Sequence, residues 1–108
     1  MDINFKMEND MTDLIKEAAF SQIDKALQRV GLEAERNAKL GCPVDTGRLR
    51  NSISHTNDKD TVYIGTNVEY AAYVEMGTSS QRAQPYLEPA IVNHLQEYEE
   101  MIKRELKG

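Results

Sequence analysis

The sequence predicts an α+β domain with a long N-terminal helix, an antiparallel β-hairpin or small sheet, a short helix and a C-terminal helix. Three observations predict it. Apolar residues recur at three- and four-residue steps at both ends of the chain, which is the helical period. Between them, Thr61-Val62-Tyr63-Ile64-Gly65-Thr66 is rich in β-branched and aromatic residues, the composition of a strand. Finally, most of the glycines and all of the prolines fall between Gly31 and Pro89, so this middle region is the one cut into short elements.

From about Asp10 to Leu40 the stripe comprises Met11, Leu14, Ile15, Ala18, Ile23, Ala26, Leu27, Val30, Ala34 and Ala38. Asn9 or Asp10 suits its N-cap, and Asp13 and Glu17 suit the positive end of the dipole. Gly41 and Pro43 stop it. An unbroken helix of this length spans about 45 Å at 1.5 Å per residue, more than a domain this size needs. Two readings stay open: a helix projecting toward a partner, or a break at Gly31, where glycine costs about 1 kcal/mol against alanine. Residues 1–9 are expected to form a flexible N-terminus.

After Pro43, Thr46 is placed to cap a short helical turn carrying Arg48, Leu49 and Arg50. Ser52 to Thr56 then reads as a strand, Asn57 to Asp60 as a polar turn, and Thr61 to Thr66 as the antiparallel partner strand. Tyr70 to Met76 has Tyr70, Tyr73 and Val74 at helical spacing, with Gly77 as terminator. Thr78 to Gln84 is a polar loop. Pro85 to Leu87 is extended, because a residue before proline avoids the helical region. Pro89 to Lys107 reads as one final helix with Ile91, Leu95, Tyr98, Ile102 and Leu106 on a single face, and Pro89 in its first turn.

At 108 residues the chain is expected to form a single domain, residues 1–108. Its formal charge of -5 opposes a DNA-gripping role, since that affinity comes from Lys and Arg neutralising phosphates. Cys42 is the sole cysteine, so no intrachain disulfide can form, which suits the cytoplasm. The N-terminus reads unlike a signal peptide, and no apolar run reaches the roughly 20 residues of a membrane span.

Candidate chemistry is sparse. A thiol enzyme would need Cys42 within hydrogen-bond reach of His55 or His94, and the sequence does not pair them; an inert, partly buried thiol is the plainer reading. No His, Cys or Asp pair has a metal-ligand spacing, so Asp58 and Asp60 read as turn residues and no metal or other cofactor is expected. Gly65 and Gly77 lack the Lys and Ser/Thr of a phosphate loop. Arg48, Arg50 and Arg82 are the three arginines of the middle region, and neighbouring acids are their expected partners. Tyr63, Tyr70, Tyr73 and Tyr86 either fill the core or anchor an interface, where Tyr is enriched.

Two phrases carry a resemblance. Pro43-Val44-Asp45-Thr46-Gly47-Arg48-Leu49-Arg50-Asn51-Ser52-Ile53 is the first; the second comprises Tyr70-Ala71-Ala72-Tyr73-Val74-Glu75, Gly77-Thr78 and Gln84-Pro85-Tyr86-Leu87. Spread between about Leu27 and Leu95, they resemble the gene-product-ten-like family of tailed phages and prophages, described as a tail component or neck protein. Met76 and Tyr86 depart from it, standing where an aromatic residue and Phe are common.

The resemblance implies a structural, non-enzymatic virion subunit assembled in the host cytoplasm. It would join a ring at the head-tail junction or complete the tail, hexameric by analogy with tail rings. It would contact connector and tail proteins while DNA passes through the channel without specific binding. Candidate assembly residues are then Arg48, Arg50, Tyr70, Tyr73, Glu75, Thr78, Arg82 and Tyr86. The competing class is a small prophage-encoded interaction module or nucleic-acid-associated regulator, which salt-dependent DNA binding would reveal.

Overall fold

The computed structural model describes residues 2–6, 20–43 and 47–107. In chain order the elements are β1 (Asp2–Lys6), α1 (Phe20–Gly41), α2 (Arg48–Ser52), β2 (Ser54–Asn57), β3 (Thr61–Gly65), α3 (Ala71–Met76), α4 (Leu87–Val92) and α5 (Leu95–Lys107). This is the α+β arrangement predicted from the sequence. Asn9, Asp10, Asp13, Glu17 and Thr46, expected as caps and first-turn acids, lie outside the described residues, as does the first part of the long stripe.

The hairpin forms as expected, with β2 and β3 antiparallel and His55 opposite Ile64. Its turn is closed by Asp58, whose Oδ1 accepts the N–H groups of Asp60 at 3.1 Å and Thr61 at 2.9 Å while Oδ2 accepts the Tyr63 hydroxyl at 2.9 Å. A third strand joins the sheet: β1 pairs antiparallel with β3, setting Ile3 opposite Ile64 and Phe5 opposite Val62, in the order β1-β3-β2. The sequence reading assigned these residues to a flexible terminus; alternation of Ile3 and Phe5 with polar neighbours was the available strand signal.

Helix α1 runs unbroken through Gly31, so of the two readings left open there the break does not occur. Gly31 instead permits close approach: a Cβ at this position would lie 2.7 Å from His55 Cδ2. The small residues Ala26, Ala34 and Ala38, all buried, continue the same tightly packed stripe. Val62 and Ile64 are buried in the same core as that stripe, where fully burying each such side chain contributes roughly 1.5–3 kcal/mol. At about 1.5 Å per residue the 22 residues of α1 span about 33 Å, along a molecule measuring 49 × 22 × 18 Å.

The final helix is two helices, not the single one expected from Pro89. The cause lies at Tyr98, whose buried hydroxyl donates to the Ala90 carbonyl. In a continuous helix that carbonyl would accept the His94 N–H; the latter bonds Ile91 O at 3.2 Å instead, and the chain turns at Asn93 and His94. The same hydroxyl accepts Asn37 Nδ2 at 2.9 Å, tying α1, α4 and α5 together. Toward the other end of the antiparallel α1/α5 pair, Glu105 sits between Lys25 at 3.5 Å and Arg29 at 3.2 Å.

A candidate assembly surface

The two glycine- and proline-marked phrases meet in space through one carboxylate. Glu75, on α3 and only 6% exposed, accepts the backbone N–H groups of Tyr86 at 3.0 Å and Leu87 at 2.9 Å on Oε1, and of Glu88 at 3.2 Å on Oε2. These are the donors at the start of α4 that lack an intrahelical acceptor, and the following residue, Pro89, has no N–H to satisfy. A negative charge at that end also matches the helix dipole. Glu75 is therefore a cap supplied from eleven to thirteen residues away.

The segment between α3 and α4 closes on this clamp. Gln84 N–H donates to Val74 O at 2.8 Å, and Thr78 N–H to Gln81 O at 2.9 Å. The Thr78 hydroxyl accepts the N–H groups of Ser80 at 3.2 Å and Gln81 at 3.0 Å. Gly77 makes the turn possible: its φ is 77°, and a Cβ there would stand 2.7 Å from Ala83 N. The loop is thus folded on itself within one chain.

On the neighbouring side, Gly47 takes a φ of 84° and starts α2, which turns Arg48 toward Glu69. The guanidinium pairs with both carboxylate oxygens, Nη1 to Oε1 at 3.1 Å and Nη2 to Oε2 at 3.0 Å, and lies 5.6 Å from the centre of the Tyr70 ring. Pairing holds the Glu69 carboxyl below its usual range and raises Arg48 above its own. Between α2, α3 and the loop runs a groove of about 710 Å³, lined by Arg48, Leu49, Tyr70, Tyr73, Val74 and Arg82 among others.

The structure thus brings Arg48, Tyr70, Tyr73 and Arg82 of the predicted residues to one groove. Tyr73 is 61% exposed, and Arg82 is exposed with no ion pair among the described residues. Arg48 has the acidic partner expected from the sequence. Arg50 is exposed outside the groove lining. Thr78 organises the loop, while Glu75 and Tyr86 lie inside it: Tyr86 is 1% exposed, with its hydroxyl 3.4 Å from Ala71 O. Neither presents a side chain to a partner, because the clamp and the core consume both.

Several exposed residues escaped the sequence reading of the site: Glu69, which pairs with Arg48, the groove-lining Gln81 and Gln84, and Met76. Met76 is 66% exposed beside Tyr73 on α3; its signal was that the resembling family commonly carries an aromatic residue there. Cys42 is buried, its thiol donates to Pro43 O at 3.4 Å, and burial raises its pKa. His55 is engaged by Glu35 and His94 by Glu97, each at 3.0 Å, so neither is held as a base for the thiol. Among the described residues no cluster of three metal-ligating side chains occurs, and no helix is long and apolar enough to cross a membrane.

A family model described as Bacteriophage HK97-gp10, putative tail-component, matches residues 3–77. The span starts in β1 and ends at Gly77, so it contains α1, the first phrase, the sheet and α3; the Gln84-Pro85-Tyr86-Leu87 phrase falls after it. No curated protein and no solved structure matches the chain significantly. With well over half of its length matched, the chain belongs to the HK97-gp10-like family of phage tail components.

Proposed function

We propose that this chain is a ring-forming subunit acting in head-tail joining or tail completion, with residues 1–108 working as one unit. Membership of the family makes it a structural phage protein of the virion, which implies contact with other phage structural proteins. The finer reading rests on one observation: Tyr73 and Met76 stand exposed together on α3 beside an arginine-rimmed groove, in a domain whose other tyrosines are at least half covered. Aromatic residues, Met and Arg are the types enriched at protein interfaces.

A ring also accounts for the acidic charge of -5, because a channel lined by acids repels phosphate and lets DNA slide. The neighbours in this reading are connector and tail proteins, and the ring is hexameric by analogy. Disruption of the gene in an inducible phage tests it by electron microscopy of the lysate. Filled heads separated from tails are the expected outcome; normal infectious particles would sink the assignment.

A further inference from the structure

Two exposed patches of the described residues are chemically opposite. The first is the groove, apolar at Tyr70, Tyr73 and Val74 and rimmed by Arg48 and Arg82. Arg48 is committed to Glu69, whereas Arg82 has no ion pair among the described residues. The second is the corner where α4 turns into α5. There Val92 is 54% and Leu95 46% exposed, and the helix surface next to them carries Glu97 and Glu100, both exposed. From Leu87 to Glu100 the chain contains four glutamates and no lysine or arginine.

The corner is left open by the geometry of its own helix pair. Tyr98 and Ile102 lie on the stripe of α5 that is buried, and Leu95 continues that stripe one turn earlier. Toward this end α1 and α5 are tied by the Asn37–Tyr98 hydrogen bond. Leu40, one turn beyond Asn37, is 65% exposed. The seam therefore ends in apolar side chains that no described element covers.

We infer that the acidic, apolar α4/α5 corner of one copy docks in the basic, aromatic groove of the next copy of this chain. Charge complementarity selects this occupant: the groove offers Arg82, which has no ion pair among the described residues, beside a tyrosine face, and the corner offers the carboxylates of Glu100 and of Glu97, the latter bonded to His94 at 3.0 Å, beside an apolar pair. An anionic membrane or a nucleic acid would be repelled by the corner and a basic peptide by the groove, so neither complements both surfaces as a second copy of the chain does. The patches are different surfaces, so the contact is head-to-tail and propagates from copy to copy, closing into a ring when the rotation permits. The inference identifies the contact surface for the ring reading above and rests on it.

The test uses the full chain in analytical ultracentrifugation across a concentration series, with circular dichroism to show that each variant folds. Arg82→Glu and the double change Glu97→Arg with Glu100→Arg alter exposed side chains, and each is expected to weaken self-association by about tenfold or more. Mixing the two variants is expected to restore association, since each altered surface then meets its complement. Unchanged association of Arg82→Glu, failure of the mixture to recover, or a wild-type chain that stays monomeric throughout would overturn the contact. Mass spectrometry of purified virions reads the virion role separately: a monomeric chain present in particles sinks the contact alone, whereas an associating chain absent from them sinks the role alone.

Discussion

Replacing Glu75 with Ala removes the single acceptor of three backbone N–H groups at the start of α4. Orphaning a buried donor costs about 1–3 kcal/mol, so three would nominally cost about 3–9 kcal/mol. Two effects reduce that figure. The Glu88 N–H is only part-buried and can recruit water, and the alanine variant no longer bears the desolvation cost of a buried carboxylate. The expected loss is about 3–5 kcal/mol, a large share of the stability of a domain this size. It corresponds to a fall in Tm of roughly 12–20 °C.

Glu75→Gln separates charge from shape. The amide keeps an oxygen for Tyr86 and Leu87 but turns a donor toward Glu88 N–H, so it is expected to cost about 1–2 kcal/mol. Urea unfolding followed by circular dichroism measures both, with unchanged m-values confirming that stability alone has moved. Hydrogen exchange adds a local readout: the amides of Tyr86, Leu87 and Glu88 lose protection first. An alanine variant within 1 kcal/mol of wild type, or a glutamine variant as damaged as the alanine one, would refute the argument that this carboxylate locks α3 to α4.

Other outcomes follow from the packing and the titrating groups. Gly77→Ala, with its φ of 77° and a Cβ 2.7 Å from Ala83 N, is expected to cost about 2–3 kcal/mol in the same urea assay, whereas Gly41→Ala meets nothing within 4 Å and is near neutral. Gly31→Ala should be unfavourable beside His55 yet stabilising by up to about 1 kcal/mol in a His55→Ala background, which a double-mutant cycle reads directly. Burial raises Cys42, Tyr86 and Tyr98 above ordinary values of 9.0, 10.0 and 10.0. Their neutral forms are thus favoured in the fold, and stability present below about pH 9 declines as pH rises past 9 to 10; Tm against pH shows it. Glu35 is held below 4.5: burial acts against this, but the bonds from His55 and Lys39 prevail. That contribution is present above pH 4.5 and is lost as pH falls through the lowered value, a loss that His55→Ala should diminish.

The helices, the hairpin and the short α3 were legible because their signals are local: a 3.6-residue stripe, a β-branched run across a polar turn, and a glycine where the chain needs positive φ. What was not legible depended on groups distant in sequence. Ile3 and Phe5 found their strand only because β3 had a free edge beside them. At Gly31 the sequence left a break and a continuous helix both open, because it is His55, 24 residues away, that occupies the space of the missing Cβ. The break before Leu95 comes from a tyrosine hydroxyl eight residues beyond the carbonyl it captures, which no periodicity encodes. At the groove, Arg48, Tyr70, Tyr73 and Arg82 were four of the eight candidates named, and side-chain type did not separate them from Arg50, Glu75, Thr78 and Tyr86. For Tyr86 the sequence left core filling and interface anchoring both open, and the interior role of Glu75 was hidden because an acid reads as a surface residue until the backbone donors it serves are in place.

The Glu75 clamp recognises main chain and nothing else: three amides of residues 86–88. Whatever side chains decorate positions 79–83, the anchoring at both ends of that stretch is indifferent to them, as long as Gly77 can turn and Thr78 can close the bend. The loop is therefore an exchangeable cassette on a fixed mount. Substitutions at positions 79–83 are expected to change the surface that the loop presents, the proposed Arg82 contact included, without disturbing the fold that carries it.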